Sequence, residues 1–118
     1  MSEFTSVLDT EDAKLVTLAR ATRVRAGAEE GAAVRDETGR TYTATTVDLP
    51  TLKVTALNLA VAMAASSGAR RLEAAVVVTE QPVPLPDEIA AVRELGDGSA
   101  LIHVVAPDGT ITDTVHPA

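Results

Sequence analysis

The feature that most constrains this sequence is a nearly continuous apolar run at residues 72–79, which reads Leu-Glu-Ala-Ala-Val-Val-Val-Thr. A half-exposed strand alternates apolar and polar side chains, whereas a strand covered on both faces is apolar at successive positions. Strands of the second kind occur mainly in sheets that carry helices on both sides. The run therefore predicts the central strand of a layered α/β protein.

Helix and strand patterns lie on both sides of this run. Asp9 or Thr10 is a suitable N-cap for a first helix, which has acids near its start and arginines towards its end. Pro50 is expected to open a second helix, because proline in the first turn loses no hydrogen bond, and Gly68 is a natural stop. The predicted elements are helix 9–25, strands 31–35 and 41–47, helix 50–67, strand 72–79, helix 87–95, and strands 100–106 and 110–115.

This order of elements predicts a three-layer α/β/α sandwich around a mixed five-stranded sheet. The length of 118 residues is typical of a single domain, which is expected to span residues 1–118. Residues 1–8 precede the first helix and are expected to be flexible. Pro82, Pro84 and Pro86 are expected to hold an extended linker before the third helix.

The composition restricts both the core and the partners. Ala occurs 21 times, Val 15 times and Leu 11 times, but Phe4 and Tyr42 are the only aromatic residues, so the core is expected to consist of small side chains. A stacking platform for single-stranded nucleic acid needs several rings and is excluded. The net charge of −7 argues against nucleic acid and anionic membranes as partners.

Missing cysteine restricts the chemistry that the protein can carry out, and missing membrane and signal-peptide patterns restrict its expected location. The chain contains no cysteine, which excludes disulfides, thiolate nucleophiles and cysteine-ligated metal sites. No apolar run approaches the ~20 residues that span a bilayer, and the first residues lack a signal-peptide pattern. We therefore expect a cytoplasmic protein.

Several short segments, together with the order of the elements, resemble the small cytidine deaminases over most of the chain. That family has Gly-Ala-Ala after its first helix, where this chain has Gly31-Ala32-Ala33. The family's ribose-binding Asn-Val-Glu corresponds to Thr46-Val47-Asp48. Its buried helix opens with Cys-Ala-Glu and closes near Ser-x-Gly, corresponding to Thr55-Ala56-Leu57 and Ser66-Ser67-Gly68. Its Pro-Cys-Gly-x-Cys-Arg-Gln motif falls in the region of residues 84–91.

The resemblance implies the fold of a zinc deaminase without its catalytic groups. Such an enzyme holds zinc with nitrogen or sulfur ligands, activates a bound water, and moves a proton with a glutamate outside the zinc shell. Thr55 stands at the first ligand position and Leu57 at the position of the glutamate. Residues 86–89, where the remaining cysteines would fall, contain neither Cys nor His. We therefore expect no bound zinc, no catalytic residue and no zinc-dependent deamination.

The same correspondence marks a candidate vestigial nucleoside pocket. Asp48 keeps a carboxylate where the family binds a ribose hydroxyl, and Thr46 keeps the capacity to hydrogen-bond. The alternative interpretation is that Asp48 caps the helix opened by Pro50, and that both threonines bond to local backbone. The candidate pocket residues are Thr46, Asp48, Thr55, Leu57 and Pro86.

The other titratable residues have ordinary structural explanations. His103 and His116 show no metal-binding spacing and are predicted to be structural or surface histidines. Asp87-Glu88 indicates complementarity to a helix dipole, with a cation site or an acid–base pair as the alternative. Arg70-Arg71 is predicted to be a solvated loop rather than a phosphate site, and Glu29-Glu30 an exposed lead into a strand.

The favoured function is a deaminase-like protein that acts as an oligomeric binding or assembly module. The alanine-rich helical stretch 54–65 suits close packing between copies in a homodimer or tetramer, as the resemblance also implies. Two alternatives remain: a nucleoside deaminase that acts on cytidine or deoxycytidine through a non-standard site, and a sensor that binds a nucleoside without turning it over.

Overall fold

The computed structural model describes residues 8–81 and 84–117. Residues 1–7 of the expected flexible start and Pro82 of the expected proline linker lie outside the described residues. Within those ranges, no helix combines the length and the apolar character that crossing a membrane requires. The elements are α1 (Thr10–Ala26), β1 (Gly31–Asp36), β2 (Thr41–Thr45), β3 (Val47–Asp48), β4 (Lys53–Val54), α2 (Ala56–Ser66), β5 (Leu72–Val78), α3 (Pro86–Gly96), β6 (Leu101–Val105) and β7 (Ile111–Val115).

Five strands form one mixed sheet in the order β2-β1-β5-β6-β7. β5 and β6 run parallel, whereas β1 pairs antiparallel with β2 and β5, and β7 pairs antiparallel with β6. The predicted mixed five-stranded sheet is therefore confirmed. β3 and β4 form a separate two-stranded ribbon, which the sequence did not predict.

The central strand β5 sends alternate side chains to the two faces of the sheet. Val77 belongs to a buried cluster with Leu57 of α2 and Val92 of α3. Its neighbour Val76 belongs to a second buried cluster with Leu15 of α1. Helices thus cover both faces of the sheet, as the apolar run predicted, and the three-layer α/β/α arrangement is confirmed.

The second helix begins later than the sequence predicted. Pro50 lies in an exposed bend between β3 and β4, and the backbone N–H of Leu49 donates to the carbonyl of Leu52 at 2.9 Å. α2 begins only at Ala56, after the N-cap Thr55. A helix opened by Pro50 is therefore wrong, because residues 47–54 close a hairpin before the helix starts.

Asp48 has a different partner from the one that the helix-cap interpretation required. Its carboxylate lies 2.7 Å from the Nζ atom of Lys53 across the β3–β4 ribbon, and both side chains are exposed. Thr55 is the residue that caps α2, since its Oγ1 accepts a 3.3 Å hydrogen bond from the backbone N–H of Asn58. The cap assigned to Asp48 is wrong, whereas Thr55 does satisfy local backbone.

Candidate functional site

The N-termini of α2 and α3 lie side by side. The side-chain amide of Asn58, in the first turn of α2, donates a 3.2 Å hydrogen bond to Oδ2 of Asp87, in the first turn of α3. Next to this contact is a cavity of about 340 Å³. Glu29, Glu30, Thr46, Thr55, Gln81, Leu85 and Glu88 line it.

Glu30 is a buried carboxylate in this cavity, with only 7% of its surface exposed. Its Oε2 accepts a 2.7 Å hydrogen bond from the hydroxyl of Thr79. Its backbone N–H donates to Oγ1 of Thr46 at 3.1 Å. Burial raises the pKa of Glu30; the Thr79 hydrogen bond lowers it, and repulsion from Glu88 adds to the increase. The carboxyl group therefore holds a proton more readily than an exposed glutamate does.

Glu88 is a second buried carboxylate, and 1% of its surface is exposed. Its Oε1 accepts a 2.8 Å hydrogen bond from the backbone N–H of Leu85, which closes the first turn of α3. Its Oε2 is also buried, and accepts no hydrogen bond from the residues that the structure describes. Within residues 8–81 and 84–117, the cavity thus has an acceptor without a donor.

The structure places the five candidate pocket residues in four different environments. Thr46 and Thr55 line the cavity with Glu30 and Glu88. Asp48 lines a shallower neighbouring cavity of about 200 Å³, which shares Glu29, Thr46 and Thr55 with the first. The remaining two contribute nothing to either lining: Leu57 is fully buried in the core, and Pro86 is exposed as the first residue of α3.

Sequence reasoning did not place the two buried carboxylates in the candidate pocket. The prediction of an exposed Glu29-Glu30 holds for Glu29 but is wrong for Glu30. No alternation marked Glu30, because β1, which follows it, is buried at four successive positions. For Glu88 a signal existed, since it lies four residues before the buried Val92, which is helical spacing for one face of α3.

The two histidines lie away from this cavity. His103 is buried on the α1 side of the sheet, with Nε2 3.1 Å from Oδ2 of Asp12 and Nδ1 3.2 Å from the Thr114 hydroxyl. His116 is exposed near the C-terminus.

The loop at Arg70-Arg71 was predicted to be solvated, with a phosphate site as the alternative. The backbone N–H groups of both arginines donate to the Glu37 carboxylate, so a carboxylate of the protein itself occupies these donors.

The donors in the cavity differ from those of catalytic zinc sites. Such sites use three protein ligands, with histidine or cysteine among them. This cavity offers the carboxylates of Glu29, Glu30 and Glu88, two hydroxyls and an amide, while Leu85 at the N-cap of α3 offers an alkyl group. In the described part of the chain, no three His, Cys, Asp or Glu side chains are grouped to hold a metal ion. The donor set does not fit a catalytic zinc.

Comparison with known proteins gives a consistent result. The structure matches a cytidine deaminase from Burkholderia pseudomallei with a TM-score of 0.77 at 21% identity, covering 88% of this chain and 91% of the other. It matches those from Mycobacterium leprae (TM-score 0.70, 20% identity, 93% and 96% covered) and Mycobacterium tuberculosis (0.68, 25%, 80% and 85%). No curated protein sequence matches the chain. The family model described as cytidine deaminase-like matches residues 8–109, and the chain therefore belongs to the cytidine deaminase-like family.

Proposed function

We propose that this protein is a cytidine deaminase-like module that does not carry out zinc-dependent deamination, but binds a small ligand and associates with copies of itself. The donor set of the cavity carries this proposal. Thr55 caps α2 with its hydroxyl, Leu85 caps α3 without a polar side chain, and Leu57 is fully buried in the core. None of these side chains can hold zinc and activate water, or shuttle a proton.

The cavity supports the ligand-binding part of the proposal. Its volume of about 340 Å³ is near the lower end of the range for small-molecule sites. Carboxylates and hydroxyls from Glu30, Glu88, Thr46 and Thr55 converge on it and suit a ligand with several hydrogen-bond donors. A nucleoside offers such donors on its base and sugar, and the neighbouring cavity beside Asp48 provides room for the second part.

The outer face of α2 supports the self-association part. Leu59, Ala62 and Met63 line a shallow groove of about 350 Å³ with Ser66 and Ser67, and 38% of the Met63 surface is exposed. Small side chains on this face allow the backbone of a second copy to approach closely. Leu49 and Leu52 at the tip of the β3–β4 ribbon are also more than half exposed. We assign these apolar surfaces to contacts between copies of this chain.

Activity and binding are tested on the same purified protein. It is incubated with cytidine and deoxycytidine, with and without added zinc, while ammonia release is followed; the Mycobacterium tuberculosis enzyme is the positive control. We expect no product from this protein, and a rise in Tm with at least one nucleoside, because selective binding stabilises the folded state. Product that depends on this protein would establish the deaminase alternative, and the absence of any Tm shift would remove the ligand-binding part.

Self-association is tested by light scattering coupled to size exclusion. We expect a dimer or tetramer for the unmodified protein and a monomer for Met63→Lys, because a buried lysine in the contact is strongly unfavourable. Val24→Lys is the matched control, since Val24 is an exposed apolar residue of α1. A monomeric unmodified protein, or equal dissociation by both variants, would contradict this part of the proposal.

A further inference from the structure

The unpartnered oxygen of Glu88 points to the kind of ligand that the cavity accepts. A buried carboxylate oxygen without a hydrogen-bond donor is costly, and native proteins rarely leave one in this state. Oε1 of Glu88 is occupied by the backbone N–H of Leu85, whereas Oε2 has no donor among the described residues. Closing the first turn of α3 uses only Oε1 of Glu88, so a ligand can donate a hydrogen bond to Oε2.

The charges around Glu88 indicate that the donor group of the ligand should be positively charged. Glu30 and Glu29 line the same cavity, and no lysine or arginine lies among the described lining residues. Repulsion between Glu30 and Glu88 contributes to the raised pKa of Glu30, so the two carboxyl groups interact across the cavity. Gathering three acidic residues without a basic one is unfavourable unless a positive charge enters.

We propose that this cavity binds a small organic cation with N–H donors, of the amidine or guanidine class, through the carboxylates of Glu88 and Glu30. The proposal rests on the ligand-binding part of the proposed function, and narrows it to a ligand class. A planar amidinium or guanidinium carries several N–H donors together with its charge and forms short, charge-assisted bonds to carboxylates. Thr46, Thr55 and Gln81 supply neutral polar groups for the rest of such a molecule.

A divalent metal fits these residues less well. Calcium takes six to eight oxygen ligands and magnesium requires a near-ideal octahedron. Two buried carboxylates, one of which already bonds to Leu85 and the other to Thr79, offer few free oxygens for a calcium shell, and magnesium would have to complete its octahedron with water. An organic cation needs only one or two acceptors and gains contact with the apolar part of the wall, which includes Leu85.

Benzamidine and benzamide form the test pair, because they share size and shape but only benzamidine is charged. Binding is measured by calorimetry at low ionic strength, with methylguanidine and methylurea as a second pair. We expect each cation to bind at least about tenfold more tightly than its neutral partner. Equal affinity within both pairs, or no binding of either cation at millimolar concentration, would overturn the proposal.

Glu88→Gln tests the assigned residue without removing the helix cap, because glutamine also accepts the N-cap hydrogen bond. We expect it to weaken benzamidine binding by at least about tenfold. Glu94→Gln is the matched control, since Glu94 is an exposed glutamate on the same helix and its substitution changes the net charge equally. Equal losses in both variants would mean general attraction to an acidic protein and would overturn the proposal.

Three further outcomes separate this inference from the proposed function. Stabilisation by magnesium or zinc chloride that Glu88→Gln abolishes, without benzamidine binding, would make the cavity a metal site and overturn the cation proposal. Nucleoside binding without discrimination between benzamidine and benzamide would leave the proposed function intact and remove only this inference. Protein-dependent deamination would remove the proposed function and leave the cation measurements to stand by themselves.

Discussion

The hydroxyl of Thr79 donates a 2.7 Å hydrogen bond to Oε2 of Glu30, although 49 residues separate them in the chain. The antiparallel pairing of β1 with β5 brings the two residues together. Gly31 is opposite Val78 in this pairing, Glu30 directly precedes Gly31, and Thr79 directly follows Val78. Both side chains are buried. The hydrogen bond offsets part of the cost of burying the carboxylate, and the remaining cost appears as the raised pKa of Glu30.

Glu30→Gln is expected to stabilise the protein at neutral pH. The pKa of Glu30 lies above its ordinary value of 4.5, so the folded state keeps a proton that the unfolded state releases. Stability therefore falls as pH rises from 4.5 through the folded-state pKa, and glutamine removes this loss while still accepting from Thr79. We expect Tm at neutral pH to rise by a few degrees, about the effect of 0.5–1 kcal/mol in a domain of this size.

The Tm values of the unmodified protein and Glu30→Gln are compared by thermal unfolding at a series of pH values from acid to neutral. The gain from Glu30→Gln should disappear below pH 4.5, where the carboxyl group is protonated in both states. Glu29→Gln is the control, because Glu29 is exposed and adjacent. A gain that is constant with pH, or one that Glu29→Gln reproduces, would mean that charge burial at Glu30 is not the cause.

Asp36 is the opposite case, a buried carboxylate whose ionised form is stabilised. Burial alone would raise the pKa of Asp36, but hydrogen bonds from Thr38, Tyr42 and Arg40 hold it at about 2. The stabilisation is therefore present above the ordinary value of 3.8 and is lost as pH falls towards 2. We expect Asp36→Asn to lower the free energy of unfolding at neutral pH by about 1–3 kcal/mol.

Urea unfolding at several pH values checks this prediction. The difference between the unmodified protein and Asp36→Asn should shrink as pH falls from 3.8 towards 2. Tyr42→Phe is the matched control, because it removes one 2.8 Å hydrogen bond to Oδ2 and leaves the carboxylate in place. A difference that does not change with pH would show that shape, rather than charge, explains the loss.

The repeating pattern of the sequence predicted the framework well. The apolar run around Val76 and Val77 specified a strand covered on both faces, and Asp9 caps α1 because its Oδ1 accepts a 2.7 Å hydrogen bond from the N–H of Asp12. Both features depend on short-range spacing, which one sequence displays directly. Pro50 misled the prediction because proline suits a bend as well as a helix start, and the β3–β4 pairing that decides between them is not visible in local spacing.

The candidate site was harder to predict than the framework. Glu30 and Glu88 come from segments far apart in the chain and meet only after the sheet and α3 have formed. Charged residues next to a strand or at a helix start are usually exposed, so each looked ordinary by itself. Thr46 and Thr55 were identified through the family resemblance, and both line the cavity.

Gly31 is expected to be required by the packing of α1 on β1. A Cβ atom there would overlap the carbonyl oxygen of Ala19 and lie 2.8 Å from Cβ of Arg23, and the first of these is backbone that cannot rotate away. We expect Gly31→Ala to cost about 1–3 kcal/mol of unfolding free energy, measured in urea. Gly39→Ala is the control, since Gly39 has open space and only the strain of a φ of +86°. Because that strain itself costs about 1–2 kcal/mol, the test is the loss at Gly31: a value below about 1 kcal/mol for Gly31→Ala would contradict this account.

Arg35 of β1 forms two ion pairs, one with the first helix and one with the neighbouring strand β5. Its Nη1 lies 3.0 Å from Oδ1 of Asp12, and its Nε lies 3.2 Å from Oε1 of Glu73. The side chains of Arg35 and Asp12 are only 11% and 16% exposed, so removing the guanidinium leaves a carboxylate without its cation in a poorly solvated place. We expect Arg35→Met to lower the free energy of unfolding by about 3 kcal/mol.

A matched surface pair tests whether burial is the reason. Lys14 and Glu11 are 3.2 Å apart, with side chains 64% and 58% exposed, so Lys14→Met should cost less than about 0.5 kcal/mol. Combining Arg35→Met with Asp12→Asn should recover part of the loss, because the uncompensated charge is gone while the amide oxygen still reaches Nε2 of His103. Additive losses in the double variant, or equal losses for Arg35→Met and Lys14→Met, would show that the buried charge on Asp12 is not what makes Arg35 necessary.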